Sequence, residues 1–189
     1  MSVLASAHAF SIYRSGQTVE GEEHNDVINR WVPRDVSLWV GIDGDTEYLI
    51  VRTETGLGVD DAMIEPAVDA TEKLRSILTK AISWSDIARK NKADTTKELG
   101  CLGGKEWDVS HCERYGRPKG GQVAFTFFST RGGKQTSLIL EIIDVENQFK
   151  KAQVYLDLNG MKRLREAVTR VDAAFKKARE RGQKDHLFK

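Results

Sequence analysis

The chain has 189 residues, 40% of them hydrophobic and 30% charged, with a formal net charge of +1. This is the composition of a globular protein, one domain or two small lobes sharing a core, and it excludes global disorder. The near-neutral total conceals a split: residues 1–100 carry 11 Lys+Arg against 17 Asp+Glu, whereas residues 101–189 carry 18 against 11.

We therefore read an acidic half, 1–100, and a basic half, 101–189, joined in one compact unit. A basic half calls for a polyanion or an acidic protein surface as partner. The N-terminus lacks the basic start and long apolar core of a signal peptide. No apolar run approaches the ~20 residues of a membrane span. Two cysteines, Cys101 and Cys112, suit a reducing compartment and match no zinc spacing. The expected location is cytoplasmic, with no membrane partner.

From the N-terminus, Ala7 to Tyr13 reads as a strand and Gly16 to Asp26 as an acidic loop. Asp26 to Trp31 reads as a helical turn closed by Pro33. Val36–Ile42 and Glu47–Thr53 are β-rich runs separated by Asp43-Gly44-Asp45-Thr46. Asp-Gly between two such runs predicts a β-hairpin.

Asp60 and Asp61 offer a cap and favourable charge for a following helix. Ala67, Ala70, Leu74, Ile77, Leu78, Ala81 and Trp84 recur at helical spacing, predicting a helix of about 20 residues or more. Lys90 to Gly104, polar and ending in glycines, is the expected hinge between the halves.

The basic half reads as four strands and a helix. The strands are Glu106–Tyr115, Gln122–Thr130, Ser137–Val145 and Ala152–Asp157, joined as a meander. Met161, Leu164, Val168, Val171, Phe175 and Ala178 then form one apolar helical stripe. Asp157 or Asn159 would cap that helix and Gly182 would stop it. Its stripe needs a sheet face, for which Val123, Phe125 and Phe127 are candidates. Lys162, Arg163, Arg165, Lys176, Lys177 and Arg179 fall on its outward side.

The expected fold class is thus α+β. An antiparallel meander of about four strands is packed by a long C-terminal helix, with an N-terminal β-hairpin and a long mid-chain helix added. Trp31, Trp39, Trp84 and Trp107 are expected to be largely buried. No internal repeat stands out at the level of residues, although each half runs strands first and helix last.

The basic turns carry the functional reading. Arg114, Arg117 and Lys119 flank one strand connection, and Arg131 and Lys134 flank another. Tyr115, Phe128 and Tyr155 are candidates for the uncovered sheet face. Rings on a sheet with cationic edges suit single-stranded nucleic acid: each stacked base contributes about 1–3 kcal/mol, and Lys or Arg follow the phosphates. Four strands followed by a helix, over roughly residues 105–181, resembles in architecture the whirly and related single-stranded DNA-binding domains. That resemblance implies a nucleic-acid ligand.

Other constellations are weaker. Asp43 to Glu47 begins like an acidic metal loop, but a strand follows where further ligands are needed. Glu20, Glu22, Glu23, His24 and Asp26 could do acid–base chemistry, or fold back on the basic half. No phosphate-cradling loop or G-x-S-x-G turn appears.

The expected function is therefore non-catalytic binding of single-stranded DNA or RNA with low sequence specificity. Arg114, Arg117, Lys119, Arg131 and Lys134 would meet phosphates, and Tyr115 and Phe128 would stack. No cofactor, metal or catalytic residue is expected. The alternative is a protein–protein adaptor or inhibitor acting through complementary charged surfaces, or a homodimer.

Overall fold

The computed structural model describes residues 11–55, 58–103, 106–108, 111–112, 121–144 and 151–186. In the acidic half, strands run β1 (Ser11–Arg14), β2 (Glu22–Asn25), β3 (Arg30–Pro33), β4 (Asp35–Asp43), β5 (Thr46–Thr55) and β6 (Gly58–Ile64), followed by helix α1 (Ala67–Asn91). Next come β7 (Thr95–Leu102), β8 (Glu106–Asp108), β9 (His111–Cys112), β10 (Gln122–Thr130), β11 (Gln135–Ile143) and β12 (Lys151–Asp157). Helices α2 (Leu158–Val168) and α3 (Val171–His186) complete the order.

Two antiparallel sheets result. One has the order β1-β4-β5-β6, the other β3-β2-β12-β11-β10-β7, and β8 with β9 forms a small separate ladder. The class is α+β, as the alternation of β-rich runs and apolar stripes predicts. Four strands followed by a helix occurs twice: β1, β4, β5, β6 and α1, then β7, β10, β11, β12 and α2.

The Asp43–Thr46 hairpin forms as its sequence predicts, with Asp43 paired to Thr46 and Gly44 at φ +58°. A glycine at the first position of a two-residue loop suits the twist of the flanking strands.

Helix α1 buries Ala67, Ala70, Leu74, Ile77, Leu78, Ala81 and Ala88 on one stripe. It packs on β7, β10 and β11 of the larger sheet as well as on β5. The ring of Trp84 meets that of Phe127 edge-on, at 5.7 Å between centroids. Helix α2 packs on β11, β12 and β4, while α3 crosses to β1 and β4 of the smaller sheet. Val123, Phe125 and Phe127 are buried in a single cluster with Leu38, Leu49, Leu74, Leu140 and Leu164, so both sheets and all three helices share one core.

Several local expectations are corrected. Asp60 and Asp61 do not cap a helix; they lie in β6, where Asp60, Ala62 and Ile64 alternate inward. A third strand pairs along β5 there, and the extended Pro66 precedes the helix with no side-chain cap. The expected hinge 90–104 holds strand β7, which registers against β10 from Ser129–Thr95 to Val123–Leu102. The first strand of the meander is therefore β7, not Glu106–Tyr115, whose described pieces are only β8 and β9.

Asp26 to Trp31 is the turn and return strand of a hairpin. The expected single C-terminal helix breaks at Thr169–Arg170, where the Thr169 N–H and hydroxyl both donate to the carbonyl of Glu166. Asp157 caps α2 by accepting from the Gly160 N–H at 2.7 Å, and α3 runs past Gly182. Trp31 is 51% exposed rather than buried, because β3 is the terminal strand of its sheet. Trp39 and Trp84 are partly buried, and the side chain of Trp107 lies outside the described residues. No described helix is long and apolar enough to cross a membrane.

Candidate nucleic-acid interface

Strands β10 and β11 are joined by Arg131 to Lys134, a turn in which Arg131, Gly132 and Gly133 take φ of +56°, +64° and +70°. The turn is clamped from the acidic half. The carboxylate of Asp94 accepts from the N–H groups of Gly132 at 2.7 Å and Gly133 at 3.3 Å. Gly133 lies so close to the end of α1 that a Cβ there would sit 2.1 Å from the Ala88 carbonyl oxygen. Gly132 rests on the backbone of Lys92, the left-handed residue that terminates α1.

This clamp brings the turn of Arg131 and Lys134 to the end of α1, where Gly133 abuts Ala88 and Arg89 and Gly132 abuts Lys92; Lys90 belongs to the same last turn of the helix. All five cationic side chains are exposed. Asp86 faces Arg89 at 3.5 Å across exposed surface. A helix C-terminus tolerates this crowd of cations because its unpaired carbonyls carry partial negative charge. One turn back along the same side of α1, Trp84 lies beneath the ammonium of Lys80, 4.9 Å from the ring centroid. An open groove of about 670 Å³ there is lined by Glu72 as well as by Arg75, Ser76, Thr79, Lys80, Ser83 and Trp84.

Phe128 sits on the outward face of β10, opposite to Phe125 and Phe127, and is half-buried between Thr96 and Ser137 in register. Further across the same face, Tyr155 pairs with Ile139 and touches Trp31, whose ring stands nearly perpendicular at 4.8 Å. Aromatic rings are thus present on the open face. Its charges are mixed: Glu22, Glu98, Glu141 and Asp157 share it with Lys151, which lies 3.8 Å from Glu141. The cations gather at the β10–β11 end.

Of the residues singled out from sequence, Arg131 and Lys134 are brought together and Phe128 lies on the adjoining strand. Arg114, Tyr115, Arg117 and Lys119 lie outside the described residues. Arg89, Lys90 and Lys92 were missed. Their closely spaced charges were legible, but nothing in the sequence ties position 92 to position 132.

The stretch from Gly16 to Asp26, expected as an acidic loop, holds strand β2 paired to β3, and its charges are partly used within the chain. Glu20 pairs with Arg163 of α2 at 3.5 Å, and Glu47 with Arg179 of α3 at 2.5 Å, so some of the charge split is met internally. Glu23 is held by Arg34 at 2.6 Å, and His24 Nδ1 meets Asp26 at 2.8 Å. Among the described residues, no three His, Cys, Asp or Glu side chains gather as a metal site. Comparison of the chain with protein-family models, with curated proteins and with solved structures found no match.

Proposed function

We propose that this protein binds single-stranded nucleic acid with little sequence preference, through the corner where the β10–β11 turn meets the end of α1. The observation that carries the reading is the convergence of Arg131 and Lys134 with Arg89, Lys90 and Lys92. Exposed cations at the end of α1 and on a turn clamped to it by Asp94 make a preorganised phosphate contact. Phe128, half-buried on the adjoining strand β10, offers a ring for base stacking. Such binding reads charge spacing and ring faces, not base edges, so it is indifferent to sequence.

The test is a salt series with a labelled single strand roughly 20 nucleotides long, enough for one or more footprints. Affinity should fall steeply with salt as phosphates release counterions. Arg131→Glu with Lys134→Glu should abolish binding, as should reversal of Arg89, Lys90 and Lys92. Arg163→Glu on α2 should leave it unchanged. No binding at low salt, or equal binding by the reversed variants, would remove the proposal.

A further inference from the structure

The opposite end of the larger sheet has different chemistry, and it carries an inference independent of nucleic-acid binding. Strands β2 and β3 form a hairpin whose turn is ordered: Asn25 Oδ1 accepts from the N–H groups of Val27 at 3.1 Å and Ile28 at 3.2 Å. That turn pushes Val27 into solvent, 94% exposed, with Ile28 at 49% and Trp31 at 51%. Three large apolar side chains are thus exposed within five residues of one hairpin.

The hairpin is anchored at its base. Arg34, immediately after β3, pairs with Glu23 at 2.6 Å and with Asp60 of β6 at 2.9 Å, and all three side chains are largely buried. His24, Trp31 and Tyr155 form a row of rings, His24–Trp31 at 5.4 Å and Trp31–Tyr155 at 4.8 Å, each pair edge-to-face.

The surroundings of this row are acidic. Glu22 is the register partner of Tyr155, and Asp26, 95% exposed, is bonded to His24. Burial raises the Tyr155 phenol pKa above its ordinary value, and the negative charges of Asp26 and Glu23 raise it further, so their field reaches the rings. The cation of β3 itself, Arg30, alternates to the face away from Trp31.

Trp39 and Trp84 each already hold a cation of this chain. Arg52 and Arg14 lie 4.6 and 5.7 Å from the centroid of Trp39, and Lys80 lies 4.9 Å from that of Trp84. Among the described residues no such cation lies over Trp31. An exposed indole flanked by carboxylates attracts a cation and repels a phosphate.

We propose that the β2–β3 hairpin is a docking site for a basic segment of a protein partner, with an arginine side chain laid over Trp31. Glu22 and Asp26 would meet its charge, and apolar residues of the segment would cover Val27 and Ile28. Arginine suits the site better than lysine, since its flat guanidinium stacks on an indole and is more weakly hydrated.

Fluorescence anisotropy with a labelled peptide of alternating Arg and Val tests this, beside the same peptide with citrulline in place of Arg. The Arg peptide should bind at low salt and the neutral citrulline peptide should not. Trp31→Ala should weaken binding about tenfold, with Trp31→Phe recovering part of the loss. Glu22→Gln with Asp26→Asn should weaken it and flatten its salt dependence. Arg131→Glu with Lys134→Glu should leave peptide binding unchanged, which separates this site from the nucleic-acid corner.

Equal binding of both peptides, no binding of the Arg peptide, or binding unaffected by Trp31→Ala would overturn the proposal. So would a Trp31→Ala protein that loses oligonucleotide affinity while keeping peptide affinity, which would give the ring to bases. The substituted side chains are at the surface, and unchanged melting temperatures establish that the variants fold.

Discussion

Gly133 and Ala88 are 45 positions apart, yet the Gly133 backbone lies against the Ala88 carbonyl with no room for a side chain between them. This contact seats the β10–β11 turn on the end of α1 and gathers the cations of both. Gly133→Ala must place a Cβ 2.1 Å from the Ala88 oxygen and hold alanine at φ +70°. The left-handed backbone costs about 1–2 kcal/mol, and overpacking adds about 1–3 kcal/mol. Urea denaturation should show a loss of about 2–5 kcal/mol, and oligonucleotide affinity should fall with it because the turn is displaced.

The ion pairs of the acidic half differ in burial, and their removal should differ in cost. Arg34 is 7% exposed and Asp60 1%. Arg34→Met takes the guanidinium from two carboxylates inside the protein, and the expected loss is about 3–5 kcal/mol. Arg52 bonds Asp61 through two nitrogens at 2.7 and 2.6 Å, but that pair is about one-fifth exposed. Water screens it, so Arg52→Met should cost about 1 kcal/mol. Chemical denaturation of the two variants side by side checks the order; equal losses would contradict it.

Alkaline pH should destabilise the fold in part through Tyr155. Its pKa in the folded state is raised above the ordinary 10.0, by burial first and then by Asp26 and Glu23. The folded protein therefore holds this proton more tightly than the unfolded chain does. The resulting stability is fully present below pH 10 and is lost as pH rises through the folded pKa. Tyr155→Phe should flatten the decline in melting temperature above pH 10. An unchanged decline would place the sensitive group elsewhere.

The salt dependence of oligonucleotide binding should report how many cations of the corner meet phosphates. Each phosphate neutralised on a single strand contributes about 0.7 to the slope of log affinity against log salt. Replacing Arg89, Lys90 and Lys92 together by Gln should lower that slope by about 2 if all three engage. A parallel shift, with the slope kept, would mean that they act only through the general field.

Much of the fold was legible because its signals are local. The Asp43–Thr46 turn, the stripe from Ala67 to Ala81, the strand Gln122–Thr130 and the Asp157 cap all rest on residues within a few positions of one another. Strand β7 was not legible: Thr-Thr-Lys-Glu alternates weakly, and only pairing along β10 makes it a strand. Asp60 and Asp61 misled because the same carboxylates that favour a helix start also serve an ion pair in a strand. Asp60 does so with Arg34 and Asp61 with Arg52. The break at Thr169 was hidden because an apolar stripe can continue across two helices.

By itself the sequence determined the α+β class, the apolar stripes and the uneven distribution of charge, since periodicity and composition are properties of neighbouring residues. Tertiary structure alone decided which charges stand together. It carried Arg131 and Lys134 to Arg89, Lys90 and Lys92, and paired Glu20 with Arg163. It also left Trp31 at the edge of a sheet rather than in the core. Those outcomes depend on long-range strand order and helix crossing, in which the shared burial of both sheets and all helices fixes what meets at the surface.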